Sequence, residues 1–209
     1  MAGRAGMITP MAWAPNEIRD TAEIRAYGAT FATDKIEDKR YFQTYLKIAA
    51  DLGPRASVCE LGVWQGESLR MWQALFPLAR SVTGIDYQTE DRVWPEGTVQ
   101  VISVQDNPAL PGLLEAAGVT PLDLIVDDAS HRGPQTSRCF ELLWPLVAPG
   151  GYYVCEDWFM NELPASVPGL TRLLAGPDDR DAECDWVHYR WGMVIVHKRG
   201  GADGAAALA

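Results

Sequence analysis

Ser57-Val-Cys-Glu-Leu-Gly62, then Ser68-Leu-Arg-Met-Trp-Gln-Ala-Leu-Phe76, then Ser81-Val-Thr-Gly-Ile-Asp86 is the stretch on which the fold turns. The first run is mostly apolar and ends on glycine, as a strand covered on both faces does. The second sets Leu69, Trp72 and Phe76 three and four residues apart, the spacing of one helix face. The third repeats the strand pattern. Strand, helix and strand in this order predict a parallel pair, because the helix supplies the long crossover that parallel strands need.

The same rhythm continues outward. Thr98–Val104 reads as a third strand, Pro108–Gly118 as a helix and Leu122–Asp127 as a fourth strand. Cys139, Phe140, Leu143, Trp144 and Val147 form a helical stripe that Pro149-Gly150-Gly151 should stop, and a fifth strand follows up to Glu156. Glu183–Tyr189 and Met193–Lys198 are strand-like and separated only by Arg190-Trp191-Gly192, which is too short for a crossover. They should form an antiparallel hairpin. The expectation is an α/β, doubly wound, Rossmann-like sheet of seven strands, mostly parallel with an antiparallel C-terminal hairpin, and with helices on both faces.

Upstream, a short helix is expected from Asn16 to near Gly28, and a second from a cap at Asp38 through Tyr41, Tyr45 and Ile48 to Gly53. Ala32-Thr33-Asp34-Lys35 between them reads as a polar loop. Residues 1–30 are assigned to an N-terminal arm and helix, 31–199 to one domain and 200–209 to a disordered tail. Gly169–Gly176 admits one short helix in the segment where an acceptor pocket would be elaborated.

Composition narrows the function. A length of 209 residues suits one α/β domain, and no apolar run approaches the ~18 residues that span a bilayer. The net charge of -10, with lysines and arginines scattered, lacks the basic footprint of a nucleic-acid binder. The N-terminus has no apolar signal core, so a cytoplasmic location is expected. Cys59, Cys139, Cys155 and Cys184 contain no C-x-x-C pair, and three of them sit inside strand or helix patterns and read as small buried hydrophobes. His188 and His197 lie in the last strand-like runs and read as structural, whereas His131 follows an acid pair at a strand end.

Two apolar runs end in acids: Leu122-Asp-Leu-Ile-Val-Asp127-Asp128, then His131, and Gly151-Tyr-Tyr-Val-Cys-Glu156-Asp157. Open α/β sheets bind ligands outside the carboxyl ends of their strands, so neighbouring strands would bring these acids together. Clustered carboxylates need a cation, and oxygen ligands select Mg²⁺ or Mn²⁺ for a catalytic role. The turn Glu60-Leu-Gly62-Val-Trp-Gln-Gly66 can bring backbone close to a ligand. It lacks one glycine of the dinucleotide fingerprint, and Glu60 would repel a pyrophosphate. Asp86 stands where an acid accepts ribose hydroxyls. A nucleoside cofactor without a diphosphate fits, and S-adenosylmethionine is the commonest of these.

Ala32-Thr33-Asp34-Lys35, Glu60-Leu-Gly62-Val-x-x-Gly66-Glu-Ser68-Leu, Gly84-Ile-Asp86, Asp127-Asp128-Ala-Ser-His131 and Pro149-Gly-Gly-Tyr-Tyr-Val-Cys-Glu156-Asp157 occur in this order. Over residues 30–160 the chain resembles the class I methyltransferases, and within them the metal-dependent macrocin- and mycinamicin-type sugar O-methyltransferases of antibiotic biosynthesis. The resemblance implies that Asp128, Glu156 and Asp157 bind Mg²⁺ (or Mn²⁺) and that His131 is the general base. It further implies that Thr33-Asp34-Lys35 closes the cofactor end of the site. Thr33, Lys35, Glu60, Gly62, Gly66, Ser68, Asp86, Gln105 and Asp106 are the expected cofactor contacts. Ala129 stands where relatives often have glycine, which bears on the backbone between Asp128 and His131.

The expected activity is Mg-dependent methyl transfer from S-adenosylmethionine to a hydroxyl of a sugar or glycosylated natural product, by a homo-oligomer acting on a small-molecule acceptor. A phenolic or catechol-like O-methyltransferase, a hydroxylase-like enzyme of the same fold and a non-catalytic cofactor-binding subunit stand as alternatives. Trp158, Phe159, Trp186 and Trp191 suit a sugar face or a phenol ring equally.

Overall fold

The computed structural model describes residues 30–37, 41–88, 90, 92–158, 184–190 and 192–200. The expected arm and first helix, the Asp38 cap, Phe159, Trp191, the 169–176 helix and the tail from 201 lie outside them, as does the side chain of Trp186.

Ser57–Leu61 forms β1 near the middle of the sheet with all five residues buried, which is why it carries no polar alternation. Around it the described chain runs α1 (Asp34–Glu37), α2 (Phe42–Leu52), β1, α3 (Glu67–Leu75), β2 (Ser81–Asp86), β3 (Val99–Ile102), α4 (Leu110–Ala116), β4 (Leu122–Asp127), α5 (Gly133–Leu143), β5 (Val147–Cys155), β6 (Cys184–Arg190) and β7 (Met193–Lys198). The described strands form one seven-stranded sheet in the order β3-β2-β1-β4-β5-β7-β6. Pairing is parallel from β3 through β5 and antiparallel at β5–β7 and β6–β7. The expected C-terminal hairpin is present, with β7 inserted between β5 and β6.

Strand side chains alternate between two cores. Val58, Val82, Leu124, Val126 and Val154 pack with Phe42, Tyr45 and Ile48 of α2 and Leu69 and Trp72 of α3. Cys59, Leu61, Ile85, Ile125 and Tyr153 pack with Leu110 and Leu114 of α4 and Cys139, Phe140 and Leu143 of α5. Helices therefore cover both faces, as doubly wound sheets require. The chain leaves β1 towards β2 and β3 and returns at β4 on its other side. This places the topological switch point, where such folds bind ligands, between β1 and β4.

Two boundaries differ from expectation. The stripe through Val147 was extended too far: α5 stops at Leu143, one 3₁₀ turn covers Trp144–Leu146, and Val147 begins β5 opposite Leu122. Pro145 has no N–H for the next helical bond, so apolar spacing continued past the point where the backbone could follow. Thr33-Asp34-Lys35, read as a loop, leads into the short helix α1. No helix among the described residues is long and apolar enough to cross a membrane.

Candidate functional site

A cleft of about 1010 Å³ opens at the carboxyl ends of β1, β2 and β4. Thr33, Lys35, Gly62, Ser68, Asp86, Gln105, Asp106, Asp128, His131 and Asp157 line it, whereas Glu60, Gly66 and Glu156 lie behind its wall.

The turn after β1 is tight for internal reasons. Gly62 has φ +89, and a Cβ there would sit 2.1 Å from the Asp128 carbonyl oxygen. Its lack of a side chain lets the β1 exit lie against the β4 exit. Gly66 has φ +77, and a Cβ would meet the Val93 carbonyl at 2.0 Å. Gly66 therefore serves packing against the 92–95 loop.

Behind the turn lies a buried charge cluster. Lys35, 1% exposed, places Nζ 2.5 Å from Asp128 Oδ2, 2.9 Å from Glu156 Oε2 and 3.3 Å from Glu60 Oε1. Ser68 donates to the other Glu60 oxygen at 2.6 Å, and Tyr45 donates to Glu156 Oε1. Burial disfavours the Lys35 charge, but Asp128, Glu156 and Glu60 outweigh it and hold the ammonium well above its ordinary range. Burial raises Glu60, against the pull of Lys35, and burial with the nearby Asp128 charge raises Glu156. One cation thus serves three carboxylates.

At the cleft surface Asp128, His131 and Asp157 converge, with one ligand atom from each within 4.8 Å of the others. His131 Nε2 is 3.6 Å from Asp157 Oδ2 and 3.8 Å from Asp128 Oδ1. Tyr41 donates to Asp157 Oδ1 at 2.9 Å. Glu156 shares the Lys35 ammonium with Asp128 and accepts from Tyr45 on its other oxygen, so its carboxylate lies behind the Asp128–His131–Asp157 group. His131 and Asp157 have φ of 53° and 52°, left-handed conformations that cost a non-glycine residue of order 1–3 kcal/mol. The left-handed step falls on His131, and alanine at 129 carries no such strain.

Asp86 ends β2 with its carboxylate held in place: it accepts from Val63 N–H at 3.0 Å, Gln88 N–H at 2.9 Å and Arg92 Nε at 3.0 Å. The Arg92 guanidinium also lies 5.4 Å from the Trp64 ring centroid. Gln105 lines the cleft but has both amide ends engaged by protein: Nε2 donates to Asp127 at 2.6 Å and Oε1 accepts from Ser130 Oγ at 2.5 Å. Asp127 is 2% exposed, also accepts from Tyr153, and is pushed up to about 7 by burial. Cys59, Cys139 and Cys155 are buried thiols.

Tyr41, Tyr45, Arg92 and Ser130 were not singled out from the sequence. Tyr41 and Tyr45 carried one signal, spacing four apart at the start of α2, but as apolar stripe positions; their hydroxyls reach acids more than a hundred residues away.

Residues 59–158 match the family described as Methyltransferase domain. The 2'-O-methyltransferase of 8-demethyl-8-alpha-L-rhamnosyl tetracenomycin-C from Streptomyces olivaceus is 32% identical over 87% of this chain and 56% of its own length. Demethylmacrocin O-methyltransferase from Streptomyces fradiae is 34% identical over 56% of this chain and 32% of its own. The chain thus spans little more than half of the first relative and about a third of the second. Among solved structures, the MycE methyltransferase of mycinamycin biosynthesis, in complex with Mg and SAH, superposes with a TM-score of 0.69 at 23% identity, covering 91% of this chain and 58% of that one. The strand order and these matches agree: residues 59–158 are similar to the methyltransferase domain family, and the sheet has the mixed α/β Rossmann-like methyltransferase fold.

Proposed function

We propose that residues 31–199 form one methyltransferase domain that transfers the methyl group of S-adenosylmethionine to a hydroxyl of a sugar or glycosylated natural product, with Mg²⁺ or Mn²⁺ at the Asp128 and Asp157 carboxylates. The observation that carries this reading is the convergence of Asp128, His131 and Asp157 in the cleft that Gly62, Ser68 and Asp86 also line. The sugar O-methyltransferases among the relatives, and the Mg and SAH of the MycE complex, support it.

The donors fit a hard dication. Three carboxylates, Glu60, Asp128 and Glu156, share a single ammonium, and a fourth, Asp157, lies against His131, a concentration of acid oxygens that a divalent ion would balance. Asp128 and Asp157 are the proposed ligands, and Glu156, which here pairs with Lys35, would be the third carboxylate to hold the ion. A divalent ion there would act as Lewis acid and template for a hydroxyl too weakly acidic to ionise alone. Asp86 holds the ribose, and Glu60 and Ser68 support the turn beside the methionine end. His131 accepts the hydroxyl proton at Nε2, in the gap that Asp128 and Asp157 flank. The left-handed backbone at His131 and Asp157 aims both side chains into one space, and orientation of this kind supplies much of a transfer enzyme's acceleration. Assembly as a homo-oligomer belongs to the same proposal and is read by light scattering.

The test is an acceptor screen with methyl-labelled S-adenosylmethionine, using rhamnosylated aglycones and macrolide glycosides, with and without EDTA. Label in a glycoside, lost in EDTA and restored by Mg²⁺, is the expected result. Full transfer in chelator would remove the metal, and label in simple catechols alone would replace the sugar.

A further inference from the structure

His131 has to hold an unfavourable backbone conformation at the mouth of the cleft, and the elements that hold it are on either side of it in the chain. Ser130 is fixed twice: its N–H at 3.3 Å and its hydroxyl at 2.5 Å both donate to Gln105 Oε1. The Ser130 hydroxyl in turn accepts from the Arg132 N–H at 3.3 Å, bridging over His131. Arg132 then opens α5, its carbonyl accepting from the Thr136 N–H. Among the described residues, the side chain that reaches this bridge from another element is Gln105, beyond the end of β3.

Gln105 is itself anchored from below. It is 7% exposed, and Nε2 donates to Asp127 Oδ1 at 2.6 Å with Thr136 Oγ1 at 3.5 Å. The amide orientation follows from the chemistry of its neighbours. The Ser130 backbone N–H can only donate, so the reversed amide would set N–H against N–H at that contact. Asp127 is fixed on its other oxygen by Tyr153 at 3.0 Å. The chain of contacts therefore starts in the core of the sheet and ends at the residue beside His131.

We propose that Gln105 is a positioning residue for His131, tying Ser130, and through it the left-handed backbone at His131, to the buried carboxylate of Asp127. A glutamine satisfies this place because it offers a donor to the acid and an acceptor to the serine from one rigid amide. The same geometry removes the Gln105 amide from the cofactor contacts expected of it. The proposal rests on His131 being the base of the methyl transfer.

Imidazole ¹H–¹⁵N correlation spectra of the ¹⁵N-labelled full chain test it, with the His131 signals assigned by their loss in His131→Ala. Gln105→Met and Ser130→Ala should each shift or broaden the His131 signals and leave those of His188 and His197 in place. The double variant should add nothing to either single, and Ser130→Thr, which keeps the hydroxyl, should restore the parental pattern. SAH affinity by calorimetry should stay within about threefold throughout. His131 signals unmoved in both single variants overturn the proposal. So does a loss of SAH affinity of tenfold or more in Gln105→Met with Ser130→Ala silent, the mark of a cofactor contact. Should Gln105→Met not fold, Ser130→Ala alone decides, since it cuts only the last link. Methyl transfer by His131→Ala reports separately on the base: its survival overturns that role and has no bearing on how the spectra respond to the tether.

Discussion

Replacing Lys35 by methionine keeps an unbranched side chain one atom shorter and removes the only ammonium within 4 Å of Glu60, Asp128 and Glu156 among the described residues. Removing one partner of a buried ion pair typically costs about 3–5 kcal/mol, because the remaining charge stays desolvated. For a chain of this size each kcal/mol moves Tm by about 2–4 °C, so the expected fall is roughly 6–20 °C. The sign of the pH response follows from the raised folded-state pKa of Lys35. Its contribution is complete below its unfolded value of 10.5 and is lost only as pH climbs through the higher folded value, so at neutral pH the whole difference is visible. Acidification should narrow the gap, because Glu60 and Glu156 are already raised and take up protons in place of the missing cation. Mg²⁺ should stabilise Lys35→Met more than the parent, since the ion meets acids that no ammonium competes for. Urea and thermal denaturation followed by circular dichroism, at several pH values with and without Mg²⁺, measure all of this. A variant within about 1 kcal/mol of the parent under every condition would refute the view that Lys35 is the counter-charge of the cluster.

Gly62→Ala should lose about 2–5 kcal/mol, from a left-handed φ and a Cβ 2.1 Å from the Asp128 carbonyl; urea midpoints measure it, and a neutral substitution would contradict the close strand approach. Asp127 is raised from 3.8 to about 7, roughly 3 units or on the order of 4 kcal/mol, so its folded-state contribution is present below pH 3.8 and lost as pH rises to 7. The stability advantage of the parent over Asp127→Asn should therefore shrink between pH 4 and 7, and an advantage that grows with pH would reverse the assignment. Asp86→Ala should weaken SAH binding by about 1.5–3 kcal/mol in calorimetric titration, the value of a hydrogen bond to a charged group. An unchanged dissociation constant in a folded variant would mean that Asp86 does not hold the ribose.

Most of the sheet was legible because burial on both faces leaves a local trace. Val58, Val82 and Val126 stand in short apolar runs with a glycine or an acid at or just past the strand end, and a window of a few residues suffices to read them. Val147 misled because helix and strand can share an apolar position, and the deciding fact was the N–H that Pro145 lacks. The acids were visible at strand ends, but their partners were not. Lys35 is 93 residues from Asp128 and 121 from Glu156, and no local pattern distinguishes a lysine in a polar loop from one that the fold buries among acids. Gln105 shows the same limit: the Asp127 and Ser130 that its amide meets lie 22 and 25 residues away in the chain.

Among the described residues, the non-glycine residues with positive φ are Trp64, His131 and Asp157, and all three line the cleft. Selection for thermal tolerance alone would favour glycine or asparagine at these positions, where relief of strain raises stability without touching either core. A heat-challenge library of this protein should therefore enrich substitutions at 64, 131 and 157, and those at 131 and 157 would remove the proposed base and a proposed metal ligand. Engineers seeking a robust catalyst would do better to freeze those three codons and diversify elsewhere.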